Sequence, residues 1–216
     1  MINKSFWEDK KVLVTGHTGF KGSWLSLWLN ILGAKVSGIA LPPDSNPSLF
    51  NQLRTKDFLE SNIFVDIRDK FLLKEKIVEL KPEIVFHMAA QPLVRKSYLN
   101  PIETWEVNVM GSLNLLKILT ELDLPCAVVM VTTDKVYRNE EWVFGYREED
   151  RLGGFAPYSS SNLSVWSLVL NLSLTLVTPG VFNAPNRTAD LICADGSSNS
   201  KLKGIGLSEP FNIAGK

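Results

Sequence analysis

A hydroxyl, a carboxylate and an amine follow one another where the chain reads Thr132-Thr133-Asp134-Lys135. The apolar run 127–131 before them is typical of a buried strand, so these groups lie where that strand ends. Side chains of these three kinds are costly to place together unless they are solvated or used, which makes the cluster a candidate for proton transfer. The plainer alternative is an exposed ion pair between Asp134 and Lys135.

A glycine-punctuated turn near the N-terminus reads Thr15-Gly16-His17-Thr18-Gly19-Phe20-Lys21-Gly22. It joins an apolar run at 11–14 to a predicted helix at 23–29. In that context the spacing is typical of a cradle for a dinucleotide pyrophosphate. The first glycine permits the tight turn, the second lets the phosphate approach the backbone, and the third lets the helix pack close to the strand. A glycine-rich turn without a ligand is the alternative, and the strand-to-helix context favours the nucleotide.

Two further clusters come at the ends of predicted strands. Asp66 and Ile67 could bracket an adenine, with a helix N-cap at Asp66 or Asp69 as an equally good interpretation. The small residues of Ala89-Ala90-Gln91 would let a cofactor lie against the backbone. We expect these residues, the glycine turn and Thr132 to form the cofactor site.

Strands and helices alternate through the first 135 residues. Strands are predicted at 11–14, 36–41, 63–67, 84–88 and 127–131, and helices at 23–29, 71–80 and 102–122. Apolar strands separated by helices predict a doubly wound parallel sheet of the Rossmann type, an α/β fold covered on both faces. Ligands of such sheets bind at the carboxyl ends of the strands, where the clusters above fall.

The amino-acid composition argues against some classes of partner and indicates a cellular compartment. Basic and acidic residues number 23 each, so neither nucleic acid nor a membrane surface is expected as a partner, and no metal site is predicted. Cys126 and Cys193 are far apart in the sequence and are more typical of free thiols in a reducing compartment than of a disulfide framework. Residues 1–7 lack the apolar core of a signal peptide, which favours a cytoplasmic location.

The glycine turn, the Ala89-Ala90 pair, Thr133 and Tyr158 resemble those of the extended short-chain dehydrogenase/reductase family. The sequence segments at 15–25, 87–95, 133–137 and 142–148 are similar to those of the nucleotide-sugar 4,6-dehydratases of this family. The similarity runs from about residue 6 to residue 161. The Asp134-Lys135 pair resembles the members that act on CDP-glucose, because the related dTDP-sugar enzymes carry Asp-Glu. The resemblance therefore implies NAD as cofactor, CDP-glucose as substrate and a homodimer.

The resemblance also implies a reaction. The sugar C4 alcohol is oxidised by hydride transfer to NAD, water leaves across C5 and C6, and the hydride returns to C6. Tyr158 would be the base for the C4 hydroxyl, aided by Thr133. Asp134 would protonate the departing C6 oxygen and Lys135 would take the C5 proton. A nucleotide-sugar epimerase or reductase is the alternative within enzymes, and the Asp134-Lys135 pair disfavours it.

The choice between NAD and NADP depends on the end of the second predicted strand. An NAD enzyme places an acid there for the adenosine ribose, and Asp44 is the nearest candidate. No arginine stands beside it to favour a 2′-phosphate, so NAD is expected.

The chain departs from the family pattern after Ser161. The family motif Tyr-x-x-x-Lys would place a lysine four residues after Tyr158, and Asn162 stands there instead. An amide carries no charge with which to favour an ionised phenol. Residues 152–186 contain no charged side chain, and the apolar stretch 162–177 within them is too short and too rich in hydroxyls for a membrane span.

From residue 178 onward coil is predicted in place of the family's substrate domain, with the Rossmann domain at 1–177 and an irregular tail at 178–216. A change of reading frame, a truncation and genuine divergence all stay open. The second hypothesis is therefore an inactive dinucleotide-binding Rossmann module. On either hypothesis the altered Tyr158 helix predicts a weakened dimer.

Overall fold

The computed structural model describes residues 4–122, 126–147, 149–176 and 191–194. The strands are β1 Lys11–Thr15, β2 Lys35–Ala40, β3 Ser61–Phe64, β4 Ile84–His87, β5 Ala127–Val131 and β6 Leu191–Ala194. The helices are α1 Lys4–Trp7, α2 Phe20–Ile31, α3 Leu49–Gln52, α4 Lys70–Leu80, α5 Val94–Leu99, α6 Pro101–Trp105, α7 Ser112–Glu121 and α8 Pro157–Leu176. A π-helical turn, Glu106–Gly111, joins α6 to α7, and 3₁₀ turns span Thr55–Asp57 and Asp134–Val136.

The six described strands form one parallel sheet in the order β3-β2-β1-β4-β5-β6. In register, Val14 of β1 lies between Gly38 of β2 and Phe86 of β4. The chain builds outward from β1 to β3 and then returns to place β4 on the other side of β1. The carboxyl ends of β1 and β4 therefore border the crevice where such sheets bind ligands. The predicted doubly wound Rossmann fold is confirmed.

Helices cover the sheet on both faces. On one face Leu73 of α4, Leu115 of α7 and Val165 of α8 pack with strand residues such as Leu13 and Val85 into the larger core cluster. On the other face, Trp7 of α1 and Leu29 of α2 pack over Val12, Val14 and Val36. Along β1 and β4 the apolar residues alternate between these two clusters, as a sheet buried on both sides requires. Cys126 is a buried free thiol.

Three sequence expectations are corrected by the structure. The third strand ends at Phe64, so Asp66 and Ile67 lie in the turn that leads to α4. The predicted helix at 102–122 is interrupted by the π-helical turn, where Gly111 leaves room for the Ile67 side chain. Residues 191–194 pair with β5 as a strand, so the coil expectation is wrong for these four residues, while 178–190 and 195–216 lie outside the described residues.

Among the helices that the structure describes, none has both the length and the apolar character needed to cross a bilayer.

Candidate cofactor and catalytic site

The turn between β1 and α2 brings three backbone segments together. Gly16 has φ +75°, and a Cβ there would lie 2.8 Å from the Ala89 nitrogen at the end of β4. A Cβ at Gly22 would overlap the Gly16 carbonyl oxygen. Because neither glycine carries a side chain, α2 can begin directly against the end of β1, as the glycine spacing predicts.

Gly19 differs from the other two glycines. It is the N-cap of α2 with φ −73° and ψ 169°, and it makes no side-chain capping bond. A Cβ there would meet only the Gly16 carbonyl oxygen, at 3.3 Å. The protein therefore leaves the space beside Gly19 open, and the first N–H groups of α2 are available to an anion there.

A buried hydrogen-bond chain fixes the ends of β1 and β4 to each other. Thr15 Oγ1 accepts from the backbone nitrogens of Met88 (3.1 Å) and Ala89 (3.2 Å). Its own proton is therefore donated to His87 Nδ1 at 2.7 Å, which leaves the proton of the neutral imidazole on Nε2. That nitrogen donates to Ser112 Oγ of α7 at 2.8 Å. This series of hydrogen bonds holds the carboxyl ends of β1 and β4 in one geometry.

His87 is expected to make the fold acid-labile. Burial lowers the pKa of this imidazole from 6.5 to about 4. Between these values the unfolded chain binds a proton at this residue that the folded protein excludes. The free energy of unfolding therefore falls as the pH drops from about 6.5 to 4, by on the order of 3 kcal/mol. Urea unfolding of the unmodified chain and His87→Gln across this range measures the effect. The variant should lose this share of the pH dependence, and equal slopes would contradict the assignment.

The side chains of the glycine turn divide into two kinds. The His17 ring is buried, its Nε2 lies 2.7 Å from Asn62 Oδ1, and burial lowers its pKa. The Thr18 hydroxyl donates to the Leu41 carbonyl at 2.9 Å. These two side chains therefore tie the turn to Asn62 of β3 and to Leu41, which follows β2. Phe20 and Lys21 are exposed.

Asp66 and Ile67 have different surroundings. The Ile67 side chain is buried in the larger core cluster, against the π-helical turn. Asp66 accepts two side-chain hydrogen bonds from Arg68 Nε and one of 2.6 Å from Nη2, which hold its pKa below the usual value. The N-cap of α4 is Asp69, whose Oδ1 accepts from the backbone nitrogens of Phe71 and Leu72. Of the two N-cap candidates, the structure selects Asp69.

Ala89 and Ala90 lie at the end of β4, beside Gly16, with Ala90 exposed. The Gln91 side chain, in contrast, is buried and used internally. Its Nε2 donates to Thr104 Oγ1 at 3.0 Å, and its backbone nitrogen donates to Asn108 Oδ1 at 2.8 Å. Gln91 therefore shapes the loop after β4 instead of offering its amide to a ligand.

The 3₁₀ turn after β5 carries the predicted proton-transfer cluster and packs against α8. Thr133 Oγ1 donates to Asp134 Oδ1 at 3.0 Å and accepts from the Lys135 backbone nitrogen at 3.3 Å. Lys135 Nζ lies 3.5 Å from the same carboxylate, and the two side chains are 53% and 74% exposed. Their geometry is that of an open ion pair, so the groups are together and accessible. Beside them Thr132, the first residue after β5, has a buried hydroxyl.

Tyr158 and Asn162 lie one turn apart in α8. The Asn162 amide is buried and donates to the Tyr158 carbonyl at 2.9 Å. The Ser161 hydroxyl donates to the same carbonyl at 2.8 Å and accepts from Asn108 Nδ2 at 3.0 Å. The position at which the family motif has a lysine is thus filled by a neutral amide bonded within its own helix.

Sequence reasoning missed the contribution of Asn108. This residue lies in the π-helical turn, and its amide joins the loop after β4 to α8 through Gln91 and Ser161. Single π-helical turns inside α-helices are frequent at functional sites. The available signal was the spacing of three polar residues, Thr104, Asn108 and Ser112, which places them on one face of the predicted helix at 102–122.

The crevice at the switch point and the open helix N-terminus are features typical of nucleotide-binding Rossmann proteins. The family described as GDP-mannose 4,6 dehydratase matches residues 13–182, and the chain belongs to this family.

Two curated relatives give more detail. Over 161 residues the chain is 58% identical to CDP-glucose 4,6-dehydratase from Salmonella typhimurium, covering 74% of this chain and 45% of that protein. Over 168 residues it is 30% identical to CDP-paratose 2-epimerase from Salmonella typhi, covering 70% and 49%. The chain spans less than half the length of either relative.

Solved structures share the fold. UDP-glucose-4-epimerase from Stenotrophomonas maltophila, with bound NAD and formylated UDP-arabinopyranose, superposes with a TM-score of 0.71 at 24% identity, over 85% of this chain and 52% of that one. UDP-glucose 4-epimerase from Thermotoga maritima, with UDP-glucose, gives 0.64 at 25% identity, over 76% and 51%.

Proposed function

We propose that this chain binds NAD in the Gly16–Gly22 turn and carries the reactive residues of a CDP-glucose 4,6-dehydratase. The observation that carries the cofactor assignment is the open space beside Gly19 at the N-terminus of α2. The substrate assignment is supported by the 58% identity to the Salmonella typhimurium enzyme and by the Asp134-Lys135 pair. The described residues fit the cofactor, because a pyrophosphate needs the glycine cradle and unpaired helix N–H groups that they provide.

In this proposal some residues of the chain bind the cofactor and others transfer protons. The cradle would hold the pyrophosphate, and Asp66 and the Ala89-Ala90 backbone would border the adenosine and nicotinamide halves. When bound, NAD supplies a hydride acceptor and donor, which lets the substrate be oxidised at C4 and reduced at C6. Tyr158 would take the C4 hydroxyl proton, aided by the Thr133 hydroxyl.

The water-loss step would use the open ion pair. Asp134 would donate a proton to the departing C6 oxygen, and Lys135 would remove the C5 proton, which the neighbouring ketone makes acidic. A lysine must be neutral before it can act as a base, which requires desolvation or a nearby positive charge once substrate is bound. A nucleotide-sugar substrate and a buried reduced thiol also fit a cytoplasmic enzyme.

A second candidate function is dinucleotide binding without turnover. It is favoured by one observation, the neutral and internally bonded Asn162 amide at the lysine position. Long incubation with CDP-glucose and NAD in deuterated water separates the two candidates. A product one water lighter, with deuterium at C5, supports the dehydratase. NAD binding without that product supports the second candidate.

We also propose a homodimer through the face that includes α6 and the π-helical turn. Exposed Ile102, Trp105 and Met110 border a groove of about 320 Å³ there. Packing of such faces across a two-fold axis buries apolar area on both copies. Ile102→Glu with Met110→Glu is expected to weaken self-association at least tenfold in sedimentation equilibrium. An unchanged association constant would contradict this dimer face.

A further inference from the structure

Arg68 holds the Asp66 carboxylate through both its backbone and its side chain. The Arg68 backbone nitrogen donates to Asp66 Oδ1 at 2.9 Å. Its Nε donates to the two carboxylate oxygens at 3.1 and 3.0 Å, and its Nη2 donates to Oδ2 at 2.6 Å. We name this arrangement of the two residues the Asp66 clamp.

The Asp66 clamp is itself fixed to the helical segment beside it. Arg68 Nη1 lies 3.5 Å from Glu106 Oε2 in the π-helical turn. Asn114 Nδ2 of α7 donates to the carbonyls of Ile67 and Arg68, at 3.2 Å each. The Ile67 side chain is buried in the larger core cluster. The turn is therefore held by its backbone, by an apolar side chain and by the guanidinium, whereas an ordinary surface ion pair is held by its two charges alone.

The clamp leaves part of the carboxylate open to a ligand. A carboxylate offers roughly four acceptor positions, and the N–H groups of Arg68 occupy about three of them. The Asp66 side chain is 27% exposed, so a further donor can reach it. The guanidinium also keeps the carboxylate ionised, because it holds the pKa of Asp66 below its usual value. The turn follows β3, so it lies at the same edge of the sheet as the cradle.

We propose that Arg68 is a positioning residue for adenine, which fixes the Asp66 carboxylate so that its open position accepts from the exocyclic amine of the base. This role rests on the proposed function, because it needs a dinucleotide in the cradle. A carboxylate that is already oriented loses little freedom when the base binds. A fixed acceptor also rejects a base that presents another acceptor to it. Hypoxanthine is such a base, since it has a carbonyl oxygen where adenine has the amine.

Calorimetric titration of the full chain with NAD and with nicotinamide hypoxanthine dinucleotide tests the proposal. The unmodified chain is expected to bind NAD at least about tenfold more tightly, because only adenine donates to the charged acceptor. Arg68→Gln should lower this ratio of affinities at least about fivefold. The freed carboxylate then has to be ordered by NAD, and it can turn away from the hypoxanthine carbonyl. Arg68→Lys keeps the charge but not the two-pronged geometry, so its ratio should lie between the two.

Arg54→Gln is the matched control. Arg54 Nε pairs with Asp57 Oδ2 at 2.9 Å before the start of β3, whereas the Asp66 clamp follows the end of that strand. Removing this guanidinium should leave the ratio unchanged. Asp66→Asn should lower the ratio as Arg68→Gln does. The double variant should lower it no further than either change alone, because both residues act through one carboxylate.

Two outcomes would overturn the proposal, and they are distinguishable. An unchanged ratio in Arg68→Gln, whether the two affinities stay constant or fall together, would mean that Arg68 only supports the turn, while the cofactor assignment stands. Binding of neither dinucleotide by the unmodified chain would overturn the cofactor assignment and the role of Arg68 with it.

Discussion

Replacing Asn162 with lysine is expected to raise the rate at which this chain converts CDP-glucose to the 4-keto-6-deoxy product by a factor on the order of 10² to 10⁴. In the unmodified chain the Asn162 amide is buried and bonded to the Tyr158 carbonyl, so it brings no positive charge to the phenol. A lysine one turn from Tyr158 would favour the ionised phenol that oxidation at C4 requires. Product formation at saturating NAD measures the difference.

Asn162→Gln is the matched control for this prediction. It lengthens the side chain without adding charge, so it should stay as slow as the unmodified chain. Rapid turnover by the unmodified chain, with no gain from Asn162→Lys, would mean that another group supplies the charge. An equal gain from glutamine would mean that packing in α8, and not charge, limits the rate.

Gly19→Val is expected to weaken NAD binding at least tenfold while leaving the fold largely intact. Only the Gly16 carbonyl oxygen lies near the position of a Cβ at Gly19, so a side chain there would enter the space reserved for phosphate. The loss of a glycine N-cap should cost about 1 kcal/mol of stability. Calorimetric titration with NAD and thermal unfolding measure the two effects separately.

Gly22→Ala provides the contrast. Its Cβ would overlap the Gly16 carbonyl oxygen, so this variant should lose about 1–3 kcal/mol of stability from overpacking. Unchanged NAD affinity in Gly19→Val would contradict the cradle. A Gly19 variant as unstable as the Gly22 variant would mean that Gly19 serves packing instead of a ligand.

Much of the fold was predictable because its signals are local. The apolar runs at β1, β4 and β5 are short and continuous, and each predicts a buried strand without knowledge of its neighbours. The glycine spacing likewise predicts the contact between α2 and β1, since any side chain at Gly22 would prevent it. The clusters at the carboxyl ends of β1, β4 and β5 follow from this topology.

The parts that escaped prediction depend on distant partners. The π-helical turn is linked to Ile67 filling the space at Gly111 and to Asn108 meeting Gln91 and Ser161, contacts between segments far apart in the sequence. The Asp66 carboxylate accepts a hydrogen bond from the Arg68 backbone nitrogen, a local turn that a strand extending to Ile67 would not allow. β6 is short, and its pairing with β5 sets its conformation more than its own pattern does.

Hydrogen–deuterium exchange with and without NAD tests most directly whether this chain binds NAD in the Gly16–Gly22 turn. The cradle assignment predicts that NAD slows exchange in the amides of residues 16–22 and, to a smaller extent, in 66–67 and 89–91. Exchange in α4, whose N-cap is Asp69, should change little because its N-terminus is already capped by a side chain. Unchanged exchange at 16–22 under saturating NAD, or protection confined to segments away from the β1 and β4 ends, would contradict the account.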